Sequence, residues 1–172
     1  MEEAIHTDGV EYFHLGGPPQ DCEYFVERDE NSITVEAVEE ALFPVQEFVD
    51  QKILRFGCNK RELHQIRLAV EEIFINICSY AYENMVGCAK ISCKISGEAS
   101  TVSICFVDTG TPFNPLAMNT ENADIHFLEK EGGFGIFLVR KIMDRVDYDY
   151  KDGRNVLVIE KKLSGGPLVA GA

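Results

Sequence analysis

The chain has 172 residues, 45% of them hydrophobic, which suits one globular domain with a core of ordinary size. Its formal charge of −13 argues against a nucleic-acid binder. No apolar run is long enough to cross a membrane, and the acidic start, Met1 to His6, lacks the apolar stretch of a secretory signal.

The acidity is concentrated at one end. Residues 1–50 carry fourteen acids against a single base, Arg28, whereas residues 51–172 carry fifteen of each. Residues 1–30, with Gly16-Gly17-Pro18-Pro19 and no clear periodicity, are expected to form an acidic extension with little regular structure. Ser32 to Val35 is a short first strand. Leu42, Val45, Val49 and Ile53 recur at three- and four-residue spacing and predict an amphipathic helix over 38–56, stopped by Gly57-Cys58-Asn59. A second helix is expected over 60–83, its buried stripe made of Leu63, Ile66, Val70, Ile73, Ile77 and Ala81.

Strict alternation over 89–96 and 101–107 predicts two strands joined by a turn at Gly97 to Ser100. The second strand runs straight into Asp108. Residues 116–131 are polar and irregular. Gly132-Gly133-Phe134-Gly135 then opens a short helix, 136–143. Two further alternating segments, 146–150 and 155–161, flank Asp152-Gly153, a strong hairpin signal. Residues 164–172 read as a frayed tail. These elements predict an α/β two-layer sandwich, a mixed and mostly antiparallel sheet with helices on one face and Lys90, Ser92 and Lys94 on the other. The domain proper is expected over 31–163. Six cysteines without a C-x-x-C pair read as reduced thiols in a cytoplasmic protein, with Cys78 and Cys105 in buried patterns.

Three constellations carry chemistry. Glu72 and Asn76 are four apart and share a helix seam beside the apolar stripe. A carboxylate and an amide oxygen there can orient a hydroxyl and ligate a hard cation, and they can equally be a solvent-facing surface pair. Asp108, ahead of Gly110, is either a turn-capping acid or a ligand acceptor. Gly132-Gly133-Phe134-Gly135 at a helix start is either a flexible turn or an anion cradle, because free N–H groups point out of a helix N-terminus. It is not a Walker A loop, since no Lys-Ser/Thr follows. Together the three make up what a Mg²⁺–nucleotide site needs.

In combination these motifs resemble those of the GHKL (Bergerat-fold) ATPases. Glu71-Glu72-Ile73-Phe74-Ile75-Asn76 is similar to their N-box. Asp108-Thr109-Gly110-Thr111-Pro112-Phe113-Asn114-Pro115 is similar to their first glycine box, and Gly132 to Val139 to their second. The Pro-Phe-Asn-Pro ending and the small size resemble the anti-sigma-factor serine-protein kinases of the RsbW/SpoIIAB type. The resemblance spans about residues 33–162.

It implies ATP and Mg²⁺ as ligands. Asn76 would hold the metal, and Glu72 would be the general base. Asp108 would accept from the adenine amino group, and Gly110 would leave room for the base. Asn114 would belong to the nucleotide-binding turn. Residues 116–131 would form a lid, with Gly132, Gly133 and Gly135 at the phosphate end, and Asn155 would face the nucleotide. The implied reaction transfers the γ-phosphoryl group to a serine of a STAS-domain anti-anti-sigma partner. A sigma factor and a second copy of the chain are further implied partners. The competing expectation is a nucleotide-dependent module that sequesters such a partner without phosphorylating it.

Overall fold

In the computed structural model, which describes residues 5–7, 10–13, 24–83, 85–117 and 134–165, the alternating segments become strands of one sheet. The strands are β1 (Ile5–Thr7), β2 (Val10–Phe13), β3 (Tyr24–Arg28), β4 (Ser32–Glu36), β5 (Cys88–Ser96), β6 (Thr101–Asp108), β7 (Arg145–Lys151) and β8 (Arg154–Lys162). Their spatial order is β1-β2-β3-β4-β5-β6-β8-β7. The helices are α1 (Leu42–Phe56), entered through a 3₁₀ turn at Glu39–Ala41, α2 (Lys60–Tyr80) and α3 (Phe134–Ile142). The two-layer α/β sandwich is as expected, and every ladder among the described strands is antiparallel.

Strand parity sorts the two faces. On β5, Ala89, Ile91 and Cys93 are buried in the core, whereas Lys90 and Lys94 are exposed on the open face. On β6, Val102, Ile104 and Phe106 are buried under the helices. They pack into one cluster with Phe48, Val49, Ile53, Ile66, Val70 and Phe74. Burying each of these side chains is worth roughly 1.5–3 kcal/mol. The same parity corrects the cysteine reading. Cys105 lies opposite Ser92 on the open face and is half-buried, as is Cys78, while Cys93 is the fully buried thiol. The five described cysteines are free.

The acidic N-terminal segment is the main departure. Residues 5–28 contain three strands, where little regular structure was expected. β3 pairs with β4 through Val26↔Val35, Glu27↔Thr34 and Arg28↔Ile33. Val26 is 1% exposed, and the Arg28 guanidinium lies over the ring of Phe48, 5.3 Å from its centroid. Tyr24 to Arg28 has too short an alternation to stand out in sequence. It becomes a strand because the edge of β4 offers an unpaired ladder and Phe48 offers a surface.

The start of α2 is specified by a capping box. Asn59 Oδ1 accepts from the Glu62 N–H at 2.9 Å, and Glu62 Oε2 accepts from the Asn59 N–H at 3.0 Å. The other Glu62 oxygen accepts from the Ser164 N–H at 2.9 Å, and Asn59 Nδ2 donates to Ser164 Oγ at 3.0 Å. Ser164 is therefore tied to the body of the domain. Residues 166–172, also expected to fray, lie outside the described residues. Burial alone would raise the Glu62 carboxyl, but hydrogen bonds from Asn59 and Ser164 outweigh it and hold the group below the ordinary carboxylate range. Glu62→Ala should cost about 1–2 kcal/mol of stability at neutral pH, read as a lowered Tm. Because the folded-state pKa is depressed, the charged group's contribution is complete above the unfolded-state value. It disappears as pH falls through the folded-state value, so the gap between wild type and variant should narrow in acid.

Candidate functional site

Strand parity also explains why β6 ends in a buried acid. Asp108 continues the series Val102, Ile104, Phe106 and points into the helix layer, where it is 6% exposed. It sits in a pocket with about 490 Å³ of empty space open to solvent, walled by Ile73, Asn76, Ile77 and Tyr80 of α2, Phe106, Thr111, Phe113, Ile136, Tyr148 and Leu157. The walls are mostly apolar.

Asp108 is both turn-capper and pocket group. Its Oδ1 accepts from the Gly110 N–H at 2.9 Å, which shapes the turn, and from Asn155 Nδ2 at 2.8 Å. Both bonds use Oδ1, and Oδ2 has no hydrogen-bond partner among the described residues. An apolar slot ending in one free carboxylate oxygen suits a flat ring that carries a hydrogen-bond donor.

The turn itself is docked on the C-terminal end of α2. The Thr111 N–H donates to the Ala81 carbonyl at 2.8 Å, and a Cβ on Gly110 would collide with that carbonyl. Gly110 is thus required by the close approach of α2. The resemblance had implied that it makes room for a ligand. Tyr82 adds a second tie, accepting from the Thr109 N–H at 3.1 Å and donating to the Cys88 carbonyl at 2.7 Å.

The Glu72–Asn76 seam is split between two places. Asn76 is half-buried and lines the pocket. Glu72, also half-buried, lies against the first turn of α3, where a Cβ on Gly135 would collide with its carboxylate. Burial, together with the neighbouring Glu71, pushes the Glu72 carboxyl above the ordinary range. Neither residue is the solvent-facing surface group that spacing alone allowed. Gly132, Gly133 and residues 118–131 lie outside the described residues, so of the expected cradle only Gly135 is placed.

Two of the expected ligand residues make hydrogen bonds within the protein. Asn114 is exposed, and its side chain accepts from the Leu116 N–H at 2.9 Å, a local turn outside the pocket wall. Asn155 reaches the pocket, but its amide is engaged with Asp108, Tyr148 and the turn. Tyr148, Tyr80 and Phe113 were not foreseen in the pocket wall. Tyr148 was recoverable: Asp152 and Gly153 adopt φ of +52° and +74°, and the two-residue turn they form sets Tyr150 opposite Asn155 and Tyr148 opposite Leu157.

Among the described residues no group of three or more His, Cys, Asp and Glu side chains is placed to hold a metal ion. Nor is any described helix long and apolar enough to cross a membrane.

The family described as a histidine kinase-like ATPase domain matches residues 34–161. The anti-sigma F factor of Thermoanaerobacter pseudethanolicus is 28% identical over 105 residues, which is 60% of this chain and 72% of that protein. The serine-protein kinase RsbW of Staphylococcus epidermidis is 26% identical over 112 residues, 62% of this chain and 70% of that protein. Among solved structures, the histidine kinase domain of a blue-light activated histidine kinase from Erythrobacter litoralis EL346 is similar with a TM-score of 0.47 and 16% identity. That similarity covers 76% of this chain and 62% of the other, so the chain spans less than two thirds of that structure.

Proposed function

The chain belongs to the histidine kinase-like ATPase domain family, and from that premise we propose that it is a cytoplasmic, ATP-dependent protein-serine kinase of the anti-sigma type. Its proposed acceptor is a serine of a STAS-domain anti-anti-sigma protein. The relatives named anti-sigma F factor and serine-protein kinase RsbW support that branch.

Adenine would enter the apolar slot with its amino group on Asp108 Oδ2. Asn76 would be the protein's ligand to a Mg²⁺ held mostly by phosphate oxygens and water. This fits the described pocket wall, where the Asn155 amide is engaged within the protein and Asn76 supplies the other amide oxygen. The metal, when bound, supplies charge neutralisation on the phosphates. Glu72 would take the proton of the acceptor serine hydroxyl. As it does so the serine oxygen bonds to the γ-phosphorus and the bond to the β–γ bridging oxygen breaks, leaving ADP. Phosphoryl transfer needs little beyond such positioning and electrostatics.

The observation that carries this reading is the placement of Glu72. A carboxylate placed against the start of α3, with burial and Glu71 shifting its pKa upward, supports proton abstraction, a step that nucleotide binding alone does not need. Incubation with γ-labelled ATP, Mg²⁺ and a STAS-domain partner should yield phosphoserine on the partner. Tight partner binding without labelled product would replace the kinase with the sequestering module.

Gly135→Ala tests the placement directly. The group in its way is the far end of a flexible side chain, so the fold should survive with Tm nearly unchanged while Glu72 is displaced. Transfer should fall about 10–100-fold, because a shift near 1 Å is costly for a positioned base. Unaltered transfer would remove Glu72 from this role.

A further inference from the structure

Which base the pocket selects follows from the residues around Asp108, given the proposed binding of ATP. Asn155 is the register partner of Asp108 on the neighbouring strand, so both side chains enter the helix layer side by side. Asn155 is 6% exposed. Its Nδ2 donates to Asp108 Oδ1 at 2.8 Å and to the Thr111 carbonyl at 3.2 Å, with the Gly110 carbonyl at 3.4 Å. Its Oδ1 accepts from the Tyr148 hydroxyl at 2.7 Å and from the Phe113 N–H at 3.2 Å. The surroundings dictate the sense of the amide. The side facing a carboxylate and two carbonyls must be the NH₂ group, and the side facing an N–H and an O–H must be the oxygen. Every hydrogen-bonding atom of the amide is therefore used within the protein. Burial pushes the Tyr148 hydroxyl up, so it stays protonated and donates.

We propose that Asn155, itself held by the Tyr148 hydroxyl, is a positioning residue that locks the Asp108 carboxylate with Oδ1 occupied and Oδ2 facing the pocket, and so makes the site select adenine over hypoxanthine and guanine. Adenine carries an amino donor at the six position, which Oδ2 accepts. Hypoxanthine and guanine carry a carbonyl oxygen there, which a fixed carboxylate oxygen repels. A carboxylate free to rotate would lose that discrimination, because it could reach the N1–H of the oxo-purines instead. Asn155 thus acts on the nucleotide only through Asp108.

The test is calorimetric titration of the full chain with ATP and with inosine triphosphate at neutral pH. Wild type should prefer ATP by at least about tenfold. Tyr148→Phe keeps the ring and removes the hydroxyl. It should weaken ATP about 3–10-fold and leave inosine triphosphate unchanged, so the preference shrinks. Asn155→Asp places a carboxyl of the same shape against Asp108. Asp108 on β6 and Tyr148 and Tyr150 on β7 neighbour it, and Tyr80 of α2 lines the same pocket. The variant replaces the NH₂ donor to Asp108 Oδ1 with an acceptor, so two carboxyl groups meet and ATP binding should drop about 100-fold. Equal loss of both nucleotides in Tyr148→Phe, no loss of either, or undiminished ATP binding in Asn155→Asp would overturn the proposal. Wild type that fails to bind ATP at millimolar concentration would remove the ATP reading itself. Wild type that binds ATP alongside any of the contrary variant results would remove only the role of Asn155 and Tyr148.

Discussion

Glu72→Gln should lower phosphoryl transfer to a serine acceptor about 10²–10⁴-fold, the range expected for removing a positioned general base. Nucleotide affinity should stay within about threefold, since Glu72 lies outside the pocket wall and the amide keeps its size. Single-turnover labelling alongside equilibrium titration separates the two quantities. The wild-type pH profile is a second readout. Transfer needs the carboxylate form, and burial together with Glu71 raises the Glu72 pKa. The rate should therefore fall on the acid side of that raised value, at a higher pH than an unperturbed carboxyl would give, and the acid limb should vanish in Glu72→Gln. A wild-type profile flat down to pH 4 would contradict a proton-abstracting Glu72.

Asp108→Asn should weaken ATP binding about 10–100-fold, the cost of leaving one or two buried polar groups mispaired. The Asn155 NH₂ and the Gly110 N–H both demand an acceptor at Oδ1. The new amide must therefore keep its oxygen there and turn its own NH₂ toward the pocket. That opposes a donor to the adenine amino group. Because the internal bonds survive in that orientation, the variant should fold with a Tm close to wild type. Titration with ATP gives the affinity and a thermal melt controls for the fold. Undiminished affinity would show that the adenine amino group is read elsewhere. The two variants are complementary, since one should lose chemistry and keep binding, and the other should lose binding first.

Much of this architecture is legible in one dimension because the relevant signals are local. Alternation over Ala89 to Ser96 and Thr101 to Val107 depends only on which residues face a core, and both segments are strands. The apolar spacing from Ile66 to Ile77 likewise yields α2, although Phe74 and Ala69 widen its buried face and Leu63 is only half-buried. β3 shows the limit of such signals. Its five residues gain strand form from β4 and Phe48, partners distant in sequence from its own pattern. The tie from Glu62 to Ser164 spans 102 residues and leaves no periodic trace.

The candidate site divides along the same line. Sequence alone determined the chemistry available: an acid at a strand end, a Glu–Asn pair one helical turn apart, and a glycine-opened helix. These are residue types at short spacings, and short spacings survive folding unchanged. Only the tertiary structure decided where they sit. It put Asp108 in the helix layer, engaged its Oδ1 with Gly110 and Asn155, and left its Oδ2 without a hydrogen-bond partner among the described residues. It sent Asn76 to the pocket and Glu72 to the start of α3, although both lie on one helix seam. It also set Asn155 against Asp108 and brought the Ala81 carbonyl close to Gly110. The physical reason is that a hydrogen bond or a steric contact belongs to a pair of groups. Asp108 meets Asn155 of β8, Asn155 meets Tyr148 of β7, and Gly110 meets Ala81 at the end of α2, so the fold sets those pairs.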